Sequence, residues 1–205
     1  MDTIVLASGN RKKLEEMRAI LAPLNVNVVA QSEYGVPEAE ETGLTFVENA
    51  LIKARNASLH TGLPAIADDS GLEVDALNGA PGIYSARFSG ADASDAKNNA
   101  LLIEMLADLP DAPRSARYQA LLVLLRHAED PTPLICQGTW EGEILDTPRG
   151  EHGFGYDPYF LIPVAGQTAA EMEPAEKNRI SHRGRALNDL IEQLEERQRR
   201  EQQRP

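Results

Sequence analysis

The first 67 residues alternate between short apolar runs and stretches of helical spacing, and this order restricts the fold more than any other feature of the chain. Thr3–Ala7 predicts a buried strand and Ser8-Gly9-Asn10 a turn. Arg11–Leu21 then reads as a helix, with Leu14, Met17, Arg18 and Leu21 at helical spacing and Pro23 closing it. Val26–Ala30 predicts a second strand. Leu44–Leu59 carries Leu44, Val47, Leu51, Ala54 and Ala57 at a helical period, ended by Gly62-Leu63-Pro64. Ala65–Ala67 predicts a third buried strand, running directly into a polar turn, Asp68-Asp69-Ser70-Gly71. Strand–helix–strand–helix–strand order implies an α/β fold with a partly parallel sheet.

The remainder reads differently. Asn78–Gly82 is a turn cluster, and Ser94–Leu106 predicts a helix with Asp92 or Ser94 as its cap. Tyr118–Leu125 and Leu134–Ile144 predict long strands of a second, more antiparallel lobe, separated by a loop at Glu129–Pro133. Gly150–Pro158 is a glycine-rich loop, and Ser181–Leu194 a final amphipathic helix. Glu195–Pro205 is a polar, charge-mixed tail expected to fray, which leaves 1–194 as one two-lobed domain.

Charge narrows the partners. The formal net charge is −12, which argues against bulk nucleic acid, since a duplex is usually held by a basic face. A small polyanion remains possible where a few cations converge or a divalent ion bridges the charges. The single cysteine, Cys136, has no disulfide partner and suits a reducing cytoplasm as a buried thiol. The start of the chain shows no basic segment and long apolar run of the secretory kind, and no stretch approaches the ~20 apolar residues of a membrane span.

Four segments are candidates for chemistry. Ser8-Gly9-Asn10-Arg11-Lys12-Lys13 places a glycine turn and cations at a helix start, where backbone N–H groups favour an anion; it reads equally as an ordinary strand-to-helix turn. Asp68-Asp69-Ser70-Gly71 lies beyond a strand, where α/β sheets bind ligands, and a carboxylate there can hold Mg²⁺ or take a proton from water. One Asp would face the site and the other the scaffold; both could also be simple turn formers. Glu38-Ala39-Glu40-Glu41 can supply a further metal ligand or merely favour a helix start. Gly153-Phe154-Gly155-Tyr156-Asp157-Pro158 sets aromatics among glycines, suited to stacking on a base or to a tight turn whose Phe154 fills the core. Lys177 and Ser181-His182-Arg183 precede or start the last helix, as donors to a base or as a solvated first turn.

Together these segments resemble one family. Ser-Gly-Asn-x-x-Lys at 8–13, Glu-Glu-Thr-Gly-x-Thr-Phe-x-Glu-Asn-Ala at 40–50 and Ala-Asp-Asp-Ser-Gly-Leu at 67–72 belong to it. So do Gly-Ala-Pro-Gly-Ile-Tyr-Ser-Ala-Arg at 79–87, Gly-Phe-Gly-Tyr-Asp-Pro at 153–158 and Ser-His-Arg at 181–183. The chain is similar in these motifs to the inosine/xanthosine triphosphate pyrophosphatases, in their bacterial branch, up to about Leu194. Ser8 stands where the family usually has Thr, and keeps the hydroxyl.

The resemblance implies a two-lobed α/β protein with an elongated mixed central sheet flanked by helices, an active-site cleft between the lobes, and a homodimer. It implies hydrolysis of ITP, dITP and XTP to the monophosphate and pyrophosphate with Mg²⁺. On matching positions, Ser8, Gly9, Asn10, Arg11, Lys12 and Lys13 would line the triphosphate site, with Lys53 and Lys177 as further cations. Asp69 would be the catalytic base and a metal ligand, Glu41 a second ligand, and Ser70 a substrate contact. Phe154 would stack on the base, Gly155, Tyr156 and Asp157 would complete that wall, and His182 and Arg183 would address the base edge. Donors aimed at a 6-oxo group would reject ATP, whereas GTP must be excluded at its 2-amino group. A pyrophosphatase of the same fold for pyrimidine or modified nucleotides, and a nucleotide-binding regulator without turnover, are the alternative readings. The Phe154 loop with Ser-His-Arg argues against the first, and the acidic pair Glu41 and Asp69 against the second.

Overall fold

The computed structural model describes residues 2–203, apart from the side chain of Glu201. Seven strands hydrogen-bond in the order β2-β1-β3-β4-β5-β6-β7. They are β1 (Thr3–Leu6), β2 (Asn27–Ala30), β3 (Ala65–Val74), β4 (Ser115–Leu125), β5 (Leu134–Ile144), β6 (Phe160–Ile162) and β7 (Gln167–Thr168). β1 pairs in parallel with β2 and β3, while β6 pairs antiparallel with β5 and β7, so the sheet is mixed. The helices are α1 (Arg11–Leu21), α2 (Phe46–Thr61), α3 (Asp95–Ala107), α4 (Pro174–Ile180) and α5 (His182–Gln202).

The chain divides into two compact units, Met1–Asp69 with Leu121–Gln137 and Ala186–Pro205, and Ser70–Ala120 with Gly138–Arg185. In the first, Ala50, Ala54 and Ala57 of α2 lie fully buried with Val5, Ala65, Ala67, Val123 and Leu125. Alanines at that spacing bring α2 close to the strands. Thr45 caps α2 by accepting from the Glu48 amide at 3.3 Å, and the Glu48 carboxylate accepts from the Leu44 amide at 3.0 Å. That cap starts the helix at Phe46, so Leu44 lies outside it and is 80% exposed, not on its apolar face. The second unit centres on Leu72, Leu102, Leu106, Tyr118, Trp140 and Phe160.

Two further expectations change. Asp68-Asp69-Ser70-Gly71 is no turn, because β3 continues through it to Val74. Leu72 and Val74 enter the second core, and their burial carries the extended chain across the polar residues. The final helix does not end at Leu194 but runs to Gln202, its added turns made of strong helix formers and an Arg200–Glu196 pair one turn apart. The last two tail residues lie outside the described residues. The short elements β6, β7 and α4 had no counterpart in the sequence reading.

The β5–β6 pairing leaves no room at Gly142. A Cβ there would stand 2.5 Å from the Phe160 ring and 2.6 Å from the Leu161 carbonyl. We expect Gly142→Ala to lower stability by about 1–3 kcal/mol through overpacking. Urea unfolding checks this, and an unchanged midpoint would show that the strands yield.

Candidate active site

The first unit builds a charged depression where the chain leaves β1, beside the middle of β3. Its volume is about 190 Å³, and Ser8, Gly9, Lys13, Glu41, Lys53 and Asp68 are among the residues lining it. Alternation along β3 sends its two adjacent aspartates to opposite sides. Each meets a lysine from a different helix. Lys13 Nζ of α1 stands 2.6 Å from Asp68 Oδ2; Lys53 Nζ of α2 stands 2.7 Å from Glu41 Oε1 and 3.7 Å from Asp69 Oδ1. Neither aspartate serves only the scaffold.

Burial pushes the Lys53 ammonium toward neutrality, but Asp69, Glu41 and Asp68 together outweigh it, and its pKa lies above the ordinary value. Glu38 also lines the depression. With Asp69, four carboxylates therefore surround two ammonium groups. Lys12 is exposed, and Arg11 pairs along its own helix with Glu15 at 3.0 Å.

The helix start is already partly used. Asn10 caps α1, its Oδ1 accepting from the Lys12 and Lys13 amides at 3.0 and 3.2 Å, and Ser8 Oγ accepts from the Asn10 amide at 3.1 Å. An anion here meets side chains more than free backbone donors. Asp68 and Glu38 lie within candidate segments of the sequence but neither was singled out there; extending β3 by its alternation would have exposed the first.

The second unit holds the glycine-rich loop. Phe154 is 74% exposed, so it does not fill the core, and Lys177 Nζ lies 4.9 Å from its ring centre. Asp157, only 2% exposed, anchors the loop from beneath. It accepts from the Phe154 amide at 3.0 Å and the Tyr118 hydroxyl at 3.1 Å, and it pairs with Lys177. A Cβ at Gly153 would fall 2.1 Å from Asp157 Oδ2, and the residue's φ of 76° also favours glycine. Gly155 is gripped on both sides, donating to Asp95 Oδ2 and accepting from Asn99 Nδ2, each at 2.8 Å. Tyr156 is buried and donates to the Ser85 carbonyl at 2.6 Å. Tyr156 and Asp157 thus support the loop from inside, and Lys177 is already ion-paired within it.

Ser70 is exposed on β3, and Arg183 is partly buried at the start of α5. His182 lies flat against Tyr118, ring centres 4.7 Å apart and planes 13° from parallel. Burial first, then the Lys177 and Arg183 charges, push its pKa down to about 3. The imidazole is neutral near pH 7, and its Nδ1 is buried with no protein partner. Among the described residues no three His, Cys, Asp or Glu side chains form a ready metal cage.

Comparison with known proteins adds three findings. Residues 4–193 match the model of the Ham1 family. The chain is 61% identical over 194 residues to a dITP/XTP pyrophosphatase of Xanthomonas axonopodis pv. citri, spanning 95% of this chain and 98% of that protein. It is 58% identical to the dITP/XTP pyrophosphatase of Vibrio cholerae over 96% of this chain and 98% of that one. Among solved structures, a HAM1 protein from Coxiella burnetii superposes with a TM-score of 0.93 at 52% identity, over 96% of this chain and all of that one.

His182 also makes stability pH-dependent. Its folded pKa of about 3 lies below the ordinary 6.5, so the unfolded chain takes up the proton first as pH falls. The stabilisation is complete above pH 6.5 and is lost as pH falls toward 3. Asp75, held down at about 2 by hydrogen bonds from Arg117 and Ser115, loses its share only below its ordinary 3.8. Between pH 6.5 and 4, therefore, Tm should fall less steeply in His182→Phe than in the wild type. Equal slopes in thermal melts would show that the ring protonates freely in the fold.

Proposed function

The chain belongs to the Ham1 family, and on that premise we propose that it hydrolyses non-standard purine nucleoside triphosphates, dITP, ITP and XTP, to the monophosphate and pyrophosphate. Near full-length identity to dITP/XTP pyrophosphatases supports the activity. The observation that carries the chemistry is the lining of the first unit's depression, where lysines and carboxylates interleave. Two ammonium groups against four carboxylates cannot hold a bare triphosphate. An accompanying divalent cation brings that balance to zero and removes the net repulsion.

The oxygen-only donors suit Mg²⁺, and Asp69 and Glu41 are the residues that would hold it. When bound, the metal supplies charge neutralisation on the phosphates and a lowered pKa for water. Lys13 and Lys53 exchange their carboxylate partners for phosphate oxygens. Ser8, Gly9, Asn10, Arg11 and Lys12 flank the same end of the substrate, and Ser70 contacts it. Asp69 takes the proton of a water that attacks the α-phosphorus; the bond from that phosphorus to the α–β bridging oxygen breaks, and pyrophosphate leaves.

Base recognition belongs to the second unit. Phe154 offers its exposed face for stacking, on a loop fixed by Gly155, Tyr156 and Asp157, with Lys177 beside the ring. His182 and Arg183 address the base edge. A neutral imidazole presents one N–H donor and one acceptor, and Arg183 presents only donors, which match a 6-oxo group and leave adenine's amine unpaired. The enzyme is further proposed to work in the cytoplasm as a homodimer. The buried Cys136 thiol, its pKa pushed up to about 12 by burial and Asp189, fits a reducing compartment. No helix among the described residues is long and apolar enough to cross a membrane.

Incubation with ITP and Mg²⁺ should give IMP and pyrophosphate in equal amounts, with turnover abolished by EDTA. Nucleoside diphosphate with orthophosphate would place the attack at the γ-phosphorus instead. Asp69→Asn should stay folded and lose about 10²–10⁴-fold in turnover as a missing base, more if a metal ligand is lost too. A folded variant of near-normal rate would remove Asp69 from the mechanism. Light scattering that returned the 22.4 kDa chain mass at micromolar concentration would refute the dimer.

A further inference from the structure

We propose that Tyr118 is a positioning residue for base selection, with its ring setting the plane of His182 and its hydroxyl setting the carboxylate of Asp157. The inference rests on the base-reading role given above to His182 and the Phe154 loop. Tyr118 lies within β4 between Arg117 and Gln119, and is 8% exposed. Its two ends meet two different parts of the base-reading apparatus.

The ring packs in parallel on His182 at 4.7 Å, with Trp140 nearly parallel to both and Phe160 tilted against Tyr118 at 4.6 Å. An imidazole held this way cannot turn without losing the stack, so its edge points in one direction. Its Nδ1 is buried with no protein partner, so no hydrogen bond at that atom fixes the ring and its orientation depends on the stack. A rigid, neutral ring discriminates more sharply than a mobile one, since it cannot turn to suit a ligand that fails to match it.

The hydroxyl donates to Asp157 Oδ1 at 3.1 Å, while the other oxygen takes the Phe154 amide and Lys177. Burial first, then the Asp157 charge and hydrogen bond, hold the phenol far above its ordinary pKa, so it stays a donor at every working pH. Removing that donor frees one carboxylate oxygen and loosens the support under Phe154. Tyr118 touches no substrate in this scheme. Its effect passes entirely through His182 and Asp157.

Two substitutions separate the arms. Tyr118→Phe keeps the stack and drops the hydroxyl, and should raise KM for ITP a few-fold while His182 still titrates far below 6.5 by NMR. Tyr118→Leu drops both, and should bring the His182 titration back toward 6.5 and cut the ITP-to-ATP ratio of kcat/KM by about tenfold or more. A purely structural role would lower the rates with ITP and ATP by one factor and leave the His182 titration in place. Should Tyr118→Leu not fold, the wild-type spectrum still decides the stack. His182 ring protons facing an aromatic at this distance are shifted upfield, and unshifted resonances would overturn the proposal. His182→Ala, run in parallel, tests the underlying reading. If it leaves the ITP-to-ATP ratio intact, base reading by His182 fails, whereas an unmoved His182 titration and ratio in Tyr118→Leu, with His182→Ala impaired, refute the role of Tyr118 alone.

Discussion

The Lys53 ammonium, held between Glu41 and Asp69, is the interaction on which the chemistry of the first unit depends. Burial alone would favour the neutral amine, yet three surrounding carboxylates keep it charged. The reverse also holds. Without that cation Asp69, Glu41 and Asp68 would face one another with less compensation. In the proposed reaction Asp69 accepts a proton and so has to be ionised beforehand, and the lysine proposed to bind phosphate is the cation that favours that form.

The second unit solves a different problem, keeping an aromatic ring exposed on a loop without letting the loop collapse inward. Asp157 does this from below, with one carboxylate serving an amide, a phenol and an ammonium. The glycine at 153 is a consequence of that carboxylate's position, since any side chain would occupy its place. Asp95 and Asn99, one turn apart on α3, fix the next peptide from the other side. The exposed hydrophobic ring thus sits on a scaffold whose buried charges are all matched, which is the condition for burying them at all.

Much of this was legible in the sequence, and the failures have physical reasons. The strand–helix alternation to residue 67 and the cap at Ser94 come from local rules that the structure obeys. Asp68-Asp69-Ser70-Gly71 misleads because its residues are all turn formers, and only the distant burial of Leu72 and Val74 keeps them extended. The helix past Leu194 misleads in the opposite sense, since a polar sequence without an apolar face can still be helical when its formers and ion pairs are strong. The exposure of Phe154 was left open, because its glycine neighbours allow either an exposed ring or a tight turn that buries it. The burial of Tyr156 and Asp157 beside it was not legible, because a loop carries no period from which to assign faces. Tyr118 was hidden by its own strand, where a tyrosine at the head of an apolar run reads as one more core residue.

The two units differ in how firmly their proposed ligand groups are held, and that difference bears on selectivity. The lysines of the depression are held by ion pairs, and an ion pair can exchange one oxyanion for another at little net cost when charge is conserved. Phosphates are common to every nucleoside triphosphate, so such adaptable contacts cannot tell one base from another. The groups of the second unit are held by stacking and by neutral or fully matched hydrogen bonds, and they offer no comparable exchange. Discrimination requires groups that fail to adapt to the wrong ligand. His182, Tyr118 and Asp157 meet that requirement because each is packed on one side and hydrogen-bonded or stacked on another. A net charge of −12 therefore does not conflict with the proposed anionic substrate: lysines and a divalent cation would answer the phosphates locally and exchangeably, while the base would be read by groups held in fixed positions.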